Sequence, residues 1–349
     1  MMDVSLMNAA SGNKPRRNLK SRLVPLIGYG ISAACLVWLY WGFDWKTELR
    51  RFAAADWRWV TLAVVVDLAV YVIQGWRWRL LLTPVAQPSF ARSVQAVFIG
   101  LFANEVLPFR SGELIRCYVL AKWTRIPFSV TLSSAVIERL FDGIWLIGGF
   151  FLIGPFVDLP GYIREGGRIF GIVLLAAAIL LGVAIFWKQH AHAAVSASRW
   201  SEALFHVVEG LHAMGRSASF YAAAAVSFLY LGFQVVPIYA LMQGWGLDLP
   251  LGAAVVVLVI LRMGTILPQA PGNIGAFQFF TVLGLTLFGV EKATATGFAT
   301  LVFVVVTVPL WLGGMVAVAL TGARIRDLQR DARSSLEPAT VPPRTGTRH

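Results

Sequence analysis

The stretch Asn104-Glu105-Val106-Leu107-Pro108-Phe109-Arg110-Ser111-Gly112-Glu113-Leu114-Ile115-Arg116 decides the fold. An apolar run rises from Ser93 to Leu107, stops at Pro108-Phe109-Arg110-Ser111-Gly112, and resumes to Trp123. Proline removes a helical N–H and clashes with the preceding turn, and glycine frees the backbone. The run therefore reads as two helical arms with a break between them. Each arm is about 12–18 residues, short of the roughly 20 that a membrane crossing takes. A second run has the same form: it rises from Pro250 to Leu267, breaks at Pro268-Gln269-Ala270-Pro271-Gly272-Asn273, and resumes to Val290. At an offset of 160 residues Leu107-Pro108 matches Leu267-Pro268 and Gly112 matches Gly272, a weak internal repeat. Both runs read as re-entrant helical hairpins. The alternative is that some arms cross fully, giving up to about ten crossings.

Around the hairpins lie six apolar runs of spanning length: Leu23–Trp41, Trp59–Leu82, Phe128–Ile153, Ile169–Trp187, Tyr221–Trp245 and Phe298–Leu320. Trp and Tyr mark their edges, as in interface-anchored helices. The whole chain of 349 residues is 57% hydrophobic and 14% charged, yet carries a net charge of +12. That composition excludes a soluble globule, a coiled coil and a disordered chain. The expected fold is an all-α polytopic membrane protein with about six to eight transmembrane helices and two re-entrant hairpins. Three spans separate the hairpins, so the hairpins enter from opposite faces. Basic residues orient the chain. With the N-terminus cytoplasmic, 21 Lys and Arg fall on the inner side and 7 on the outer, the positive-inside pattern. The inner count includes the three arginines of 76–93 and the four basic residues of 109–127. Both termini are expected in the cytoplasm of a cell (inner) membrane protein. Residues 1–22 form a basic lead, 23–322 the membrane domain, and 323–349 a polar tail expected to be disordered. The loop 188–217 could carry an amphipathic surface helix through Leu204, Val207, Val208 and Leu211.

A few charges fall at membrane depth, where each costs about 2.5–3.5 kcal/mol on insertion scales. The first hairpin carries Asn104, Glu105, Arg110, Glu113 and Arg116; the third span carries Glu138, Arg139 and Asp142. Arg110, Glu113 and Arg116 recur every three residues, near one helical face. Glu138 and Asp142, four apart, repel each other unless a cation lies between them, and Arg110 or Arg116 could supply it. One reading is a closed ion-pair network pinning the hairpin to the third span; the other is a hydrated pocket for a lipid head group. Arginine suits phosphate through its planar fork. The second hairpin adds Arg262, Gln269, Asn273 and Gln278, with the turn Pro271-Gly272-Asn273. Asp67 and Gln74 share a face of the second span and read as bundle-internal. His190 and His192 lack further metal ligands, so no metal site is expected. Neither a Walker motif, a dinucleotide fingerprint nor a Gly-x-Ser-x-Gly elbow occurs, so no cofactor and no enzymatic activity are expected. The basic tail suits anionic lipid rather than nucleic acid.

The first stretch, together with Val136-Ile137-Glu138-Arg139-Leu140-Phe141-Asp142 and Pro271-Gly272-Asn273-Ile274-Gly275-Ala276-Phe277, resembles the flippase-like family. This is the membrane domain of lysylphosphatidylglycerol synthases and its stand-alone relatives. The resemblance covers roughly residues 20–322. Asn273 stands where the family usually has a second glycine, and asparagine tolerates a left-handed backbone. The resemblance implies a protein that moves a phospholipid or lipid-linked molecule between leaflets. In the two-part synthases the aminoacyl transfer belongs to a soluble C-terminal domain. Only 27 residues follow Gly322, so lysyl transfer is not expected of this chain. The expected partners are membrane lipids, an anionic phospholipid or a lipid-linked phosphate. Arg110 and Arg116 would hold phosphate, and Glu113, Glu138 and Asp142 would position them or exchange protons. The competing classes are a membrane glycosyltransferase using a lipid-linked sugar and a non-transporting partner of a lipid-synthesis complex.

Overall fold

The computed structural model describes residues 19–107, 111–156, 161–186, 212, 214–215, 217–265 and 270–335. Among these the chain is all helical. The helices are α1 (Leu19–Tyr40), α2 (Trp45–Ala54), α3 (Trp57–Leu82), α4 (Phe90–Val106), α5 (Gly112–Thr124), α6 (Phe128–Ile153), α7 (Gly161–Phe186), α8 (Ala218–Trp245), α9 (Leu251–Gly264), α10 (Ala276–Thr286), α11 (Lys292–Ala319) and α12 (Ile325–Ser334). The six apolar runs all become helices: α1, α3, α6, α7, α8 and α11. By length and composition α3, α8 and α11 can each cross a membrane, and a fourth crossing follows if α1 and α2, bent by 86°, form one span. Helix α6 is as long as α3 but holds Glu138, Arg139 and Asp142. Large apolar side chains stand exposed along α7 (Ile169, Ile172, Val173, Leu175) and α11 (Val304, Val308, Trp311, Leu312). Such bands are what a lipid-facing surface requires.

Local chemistry sets the boundaries. Asp56, Ser89 and Ser217 cap α3, α4 and α8 by accepting from the backbone N–H of Arg58, Arg92 and Phe220. Gly246, at φ +79°, ends α8 in a left-handed turn. Both sequence breaks are real interruptions: α4 stops at Val106 and α5 starts at Gly112, while α9 stops at Gly264 and α10 starts at Ala276. The partner arms pack on each other, α4 on α5 and α9 on α10. Gly112 is essential to the first closure, because a Cβ there would run into the Gly100 carbonyl oxygen and the Asn104 side chain. In the second break a short 3₁₀ turn spans Pro271–Asn273, with Gly272 at φ 69° and Asn273 at φ 54°. Asparagine thus fills a left-handed position, as its short polar side chain allows.

Helix α3 packs along α8, and α4 packs against α3 and α11. One core gathers Leu241, Val257, Val282 and Phe298 from α8, α9, α10 and α11. Another gathers Trp78, Val97, Leu120 and Ile137 from α3, α4, α5 and α6. Part of the tail expected to be disordered is ordered: α12 buries Leu328 and Ala332 against α4 and α5. Two apolar residues four apart suffice to dock one face of an otherwise charged helix. The proposed surface helix through Leu204 and Leu211, and the His190–His192 pair, lie outside the described residues.

Candidate functional site

The charges at depth do meet, and three arginines interlock with three carboxylates. Arg116 Nη2 lies 2.6 Å from Glu138 Oε2 and 2.7 Å from Glu113 Oε2. Arg139 Nη2 lies 3.0 Å from Glu113 Oε1, and its Nη1 3.2 Å from Asp142 Oδ2. Among the described residues, however, the cation that bridges Glu138 and Asp142 is not Arg116. It is Arg77 of α3, whose Nε donates to Glu138 Oε1 at 3.2 Å and whose Nη1 donates to Asp142 Oδ1 at 2.5 Å. Arg77, counted above among inner-side charges, lies within α3, which ends at Leu82 as the run does, and is fully buried. Arg110 lies outside the described residues. The sequence signal for Arg77 was present: Asp67, Tyr71, Gln74 and Arg77 succeed one another at helical spacing down one face of α3.

Aromatic rings back two of these cations. Arg77 sits 4.4 Å from the Tyr230 ring centroid and Arg116 4.7 Å from that of Trp78, so each buried guanidinium gains a π face. Arg116 is 2% exposed at its side chain, whereas Arg139 is 49% exposed. Arg116 was expected to hold phosphate; its Nη2 is engaged by Glu113 and Glu138, and the buried side chain does not line the cavity described next. The reachable cation of the network is Arg139.

In front of the network lies a cavity of about 170 Å³. It is far larger than the roughly 15 Å³ a single water needs and smaller than the roughly 300 Å³ of typical ligand pockets. Of the residues singled out from the sequence, Asn104, Glu105, Glu113, Arg139, Gly272 and Asn273 line it. Arg116, Glu138, Asp142 and Pro271 do not. Asp67 and Gln74, read as bundle-internal, also face it, with Tyr71, Tyr230, Gln234 and Arg262. Tyr71 donates to Asp67 Oδ2 at 2.7 Å, and Arg262, itself exposed, donates to Gln234 Oε1. Helix α11 contributes a largely apolar wall through Val302, Phe303, Val306 and Leu310, with Thr307 among them.

The described residues flanking the two breaks meet at this cavity, Asn104, Glu105 and Glu113 from the first and Gly272 and Asn273 from the second. The end of α4 packs on the 271–273 turn, and a Cβ on Gly272 would stand 2.9 Å from Glu105 Oε2. At the first tip Asn104 Oδ1 accepts the Gly112 N–H at 2.8 Å, tying the end of α4 to the start of α5. At the second, Ser32 of α1 accepts the Ala270 N–H at 3.2 Å. A metal site is not in evidence: among the described residues no group of three His, Cys, Asp or Glu side chains could hold an ion.

The lysylphosphatidylglycerol synthase TM region family matches residues 26–314. The chain belongs to this family. All three quoted motifs fall inside the match, and the cavity and ion-pair network are this family member's own arrangement of them. It is a membrane protein, similar to a UPF0104 membrane protein of Methanothermobacter thermautotrophicus at 25% identity, over 72% of this chain and 80% of that one. A UPF0104 membrane protein of Methanocaldococcus jannaschii is 34% identical over a shorter stretch, 28% of this chain and 30% of that one. The glycosyltransferase AglD of Haloferax volcanii is 24% identical over 92% of this chain, a match that spans 60% of AglD's length.

Proposed function

We propose that the protein moves a phosphate-bearing lipid between leaflets, with the head group passing through the cavity where the hairpin tips meet while the acyl chains stay in lipid. The observation that carries the reading is that junction: a polar cavity with two reachable arginines, Arg139 and Arg262, at the meeting point of two broken helices. Broken helices meeting near the midplane are where secondary transporters build their sites. The contact between the tips also favours six spans and two re-entrant hairpins. Hairpins entering from opposite faces and crossing fully would put their tips about 30 Å apart; here α4 touches the 271–273 turn. On this reading both termini lie on the cytoplasmic side of the cell membrane, and the partner is an anionic phospholipid or a lipid-linked phosphate.

Arg139 holds its place through Glu113 and Asp142. An arriving phosphate offers acceptors to both Nη atoms at once, while Glu113 keeps Arg116 and Asp142 keeps Arg77 as a second cation. The supporting pairs Arg77–Glu138 and Arg116–Glu138 keep α3, α5 and α6 fixed meanwhile. In this reading the chain forms and breaks no covalent bond. Leaflet exchange of a fluorescent phospholipid in reconstituted vesicles tests it. The unaltered protein is expected to accelerate exchange over empty vesicles, and Arg139→Ala and Arg262→Ala to lower that rate about tenfold or more. Exchange no faster than in empty vesicles, or equal rates for all three proteins, would refute the assignment. The name of the AglD relative supports a second reading, a glycosyltransferase; formation of a glycosylated product from a polyprenyl-phosphate sugar by purified protein would establish it instead.

A further inference from the structure

Helix α12 presents two different faces. Its inward face is fixed to the first hairpin. Leu328 and Ala332 are buried beside Ala103, Leu107, Ile115 and Val119. Gln329 Nε2 donates to Ser111 Oγ at 3.0 Å, and Tyr118 donates to Asp331 Oδ2 at 3.3 Å. Its outward face carries Arg326, Arg330 and Arg333, all exposed, and Arg324 stands exposed at its start. Asp327, paired with Arg330 at 3.4 Å, is the exposed acid among them. The helix follows directly on the end of α11, which is long and apolar enough to cross a membrane. A cluster of four arginines at that position has the charge and the place to meet anionic head groups.

The inward contacts lead to the cavity. Ser111 immediately precedes Gly112, whose N–H is held by Asn104, and Asn104 lines the cavity. Glu113 in the same helical turn lines it too. We propose that α12 is a clasp: its arginine face engages anionic lipid of the leaflet at which α11 ends, and its inward face thereby holds the first turn of α5 in place. The clasp is independent of whether the protein transports lipid.

Hydrogen exchange of the full chain tests it, in vesicles of phosphatidylcholine alone and in vesicles containing phosphatidylglycerol. The backbone amides of α12 and of residues 112–115 are expected to exchange about tenfold more slowly in the anionic vesicles. Raising salt to about 1 M, where charges are screened within about 3 Å, is expected to abolish the difference, as is the triple variant Arg326→Gln, Arg330→Gln, Arg333→Gln. Leu328→Asp, which undocks the inward face, is expected to speed exchange at 112–115 in both vesicles while α8 is unchanged. Equal protection of α12 in the two vesicle types would overturn the lipid contact. Unchanged protection at 112–115 in Leu328→Asp, with α12 itself exchanging freely, would overturn the clasp. If a variant fails to fold, the salt titration of the unaltered protein decides: the two segments lose protection together, or the proposal falls.

Discussion

Removing the Arg77 side chain leaves Glu138 facing Arg116 alone and Asp142 facing Arg139 alone, with an unfilled space among α3, α6 and α8. Breaking a buried pair costs more than the pair contributes, because the surviving charge stays desolvated. Arg77→Ala is expected to destabilise the protein by about 3–5 kcal/mol, measured by denaturant unfolding in detergent micelles. Arg77→Lys is expected to recover only part of this, since one ammonium cannot span two carboxylates as a guanidinium fork does. A loss below 1 kcal/mol for Arg77→Ala would show that the network contributes little. Arg139→Ala is expected to do the reverse of Arg77→Ala, sparing stability and harming function, because its side chain is half exposed. At this scale most of the network was legible in the sequence: five of its six members stood out as charges in apolar runs. Arg77 did not: it lies inside the run and inside α3, which both end at Leu82, and hydropathy alone does not say which face of that helix meets α6.

The hairpin is the element in which a single methyl group decides packing. Gly112→Ala is expected to push α5 off α4, since the new carbon meets the rigid Gly100 backbone and not a movable side chain. Overpacking of this kind costs about 1–3 kcal/mol. Gly148→Ala, in the interior of α6 with nothing near its Cβ position, is expected to be neutral or to stabilise by up to about 1 kcal/mol. Paired thermal melts of the two variants check this; a similar fall in both would mean that the close approach at Gly112 is not tight. Proline and glycine announced both hairpins in the sequence, and the lengths of the arms followed. Helix α12 was not announced, because its charged sequence has no apolar stripe long enough to predict a fold, and only the neighbouring groove gives Leu328 and Ala332 something to bury against.

For the whole molecule, the proposed re-entrant topology requires that neither hairpin reaches the far surface. A cysteine at Val106, exposed on the protein surface at the end of α4, is expected to resist a membrane-impermeant maleimide added from the outer side of a variant lacking Cys35 and Cys117. Rapid labelling from that side would instead mean that α4 crosses fully. The positions of the apolar helices could be read from hydropathy, but the contact between the residues flanking the two breaks could not, because it joins segments more than 160 residues apart. A shorter separation along the chain gives Arg77 a history. Its partners Glu138 and Asp142 lie 61 and 65 residues further along the chain. During synthesis α3 is therefore made well before α6. Until α6 arrives, Arg77 must wait at the membrane edge or be sheltered by the insertion machinery, and the final seating of α3 is an event of biogenesis that only the later helix can complete.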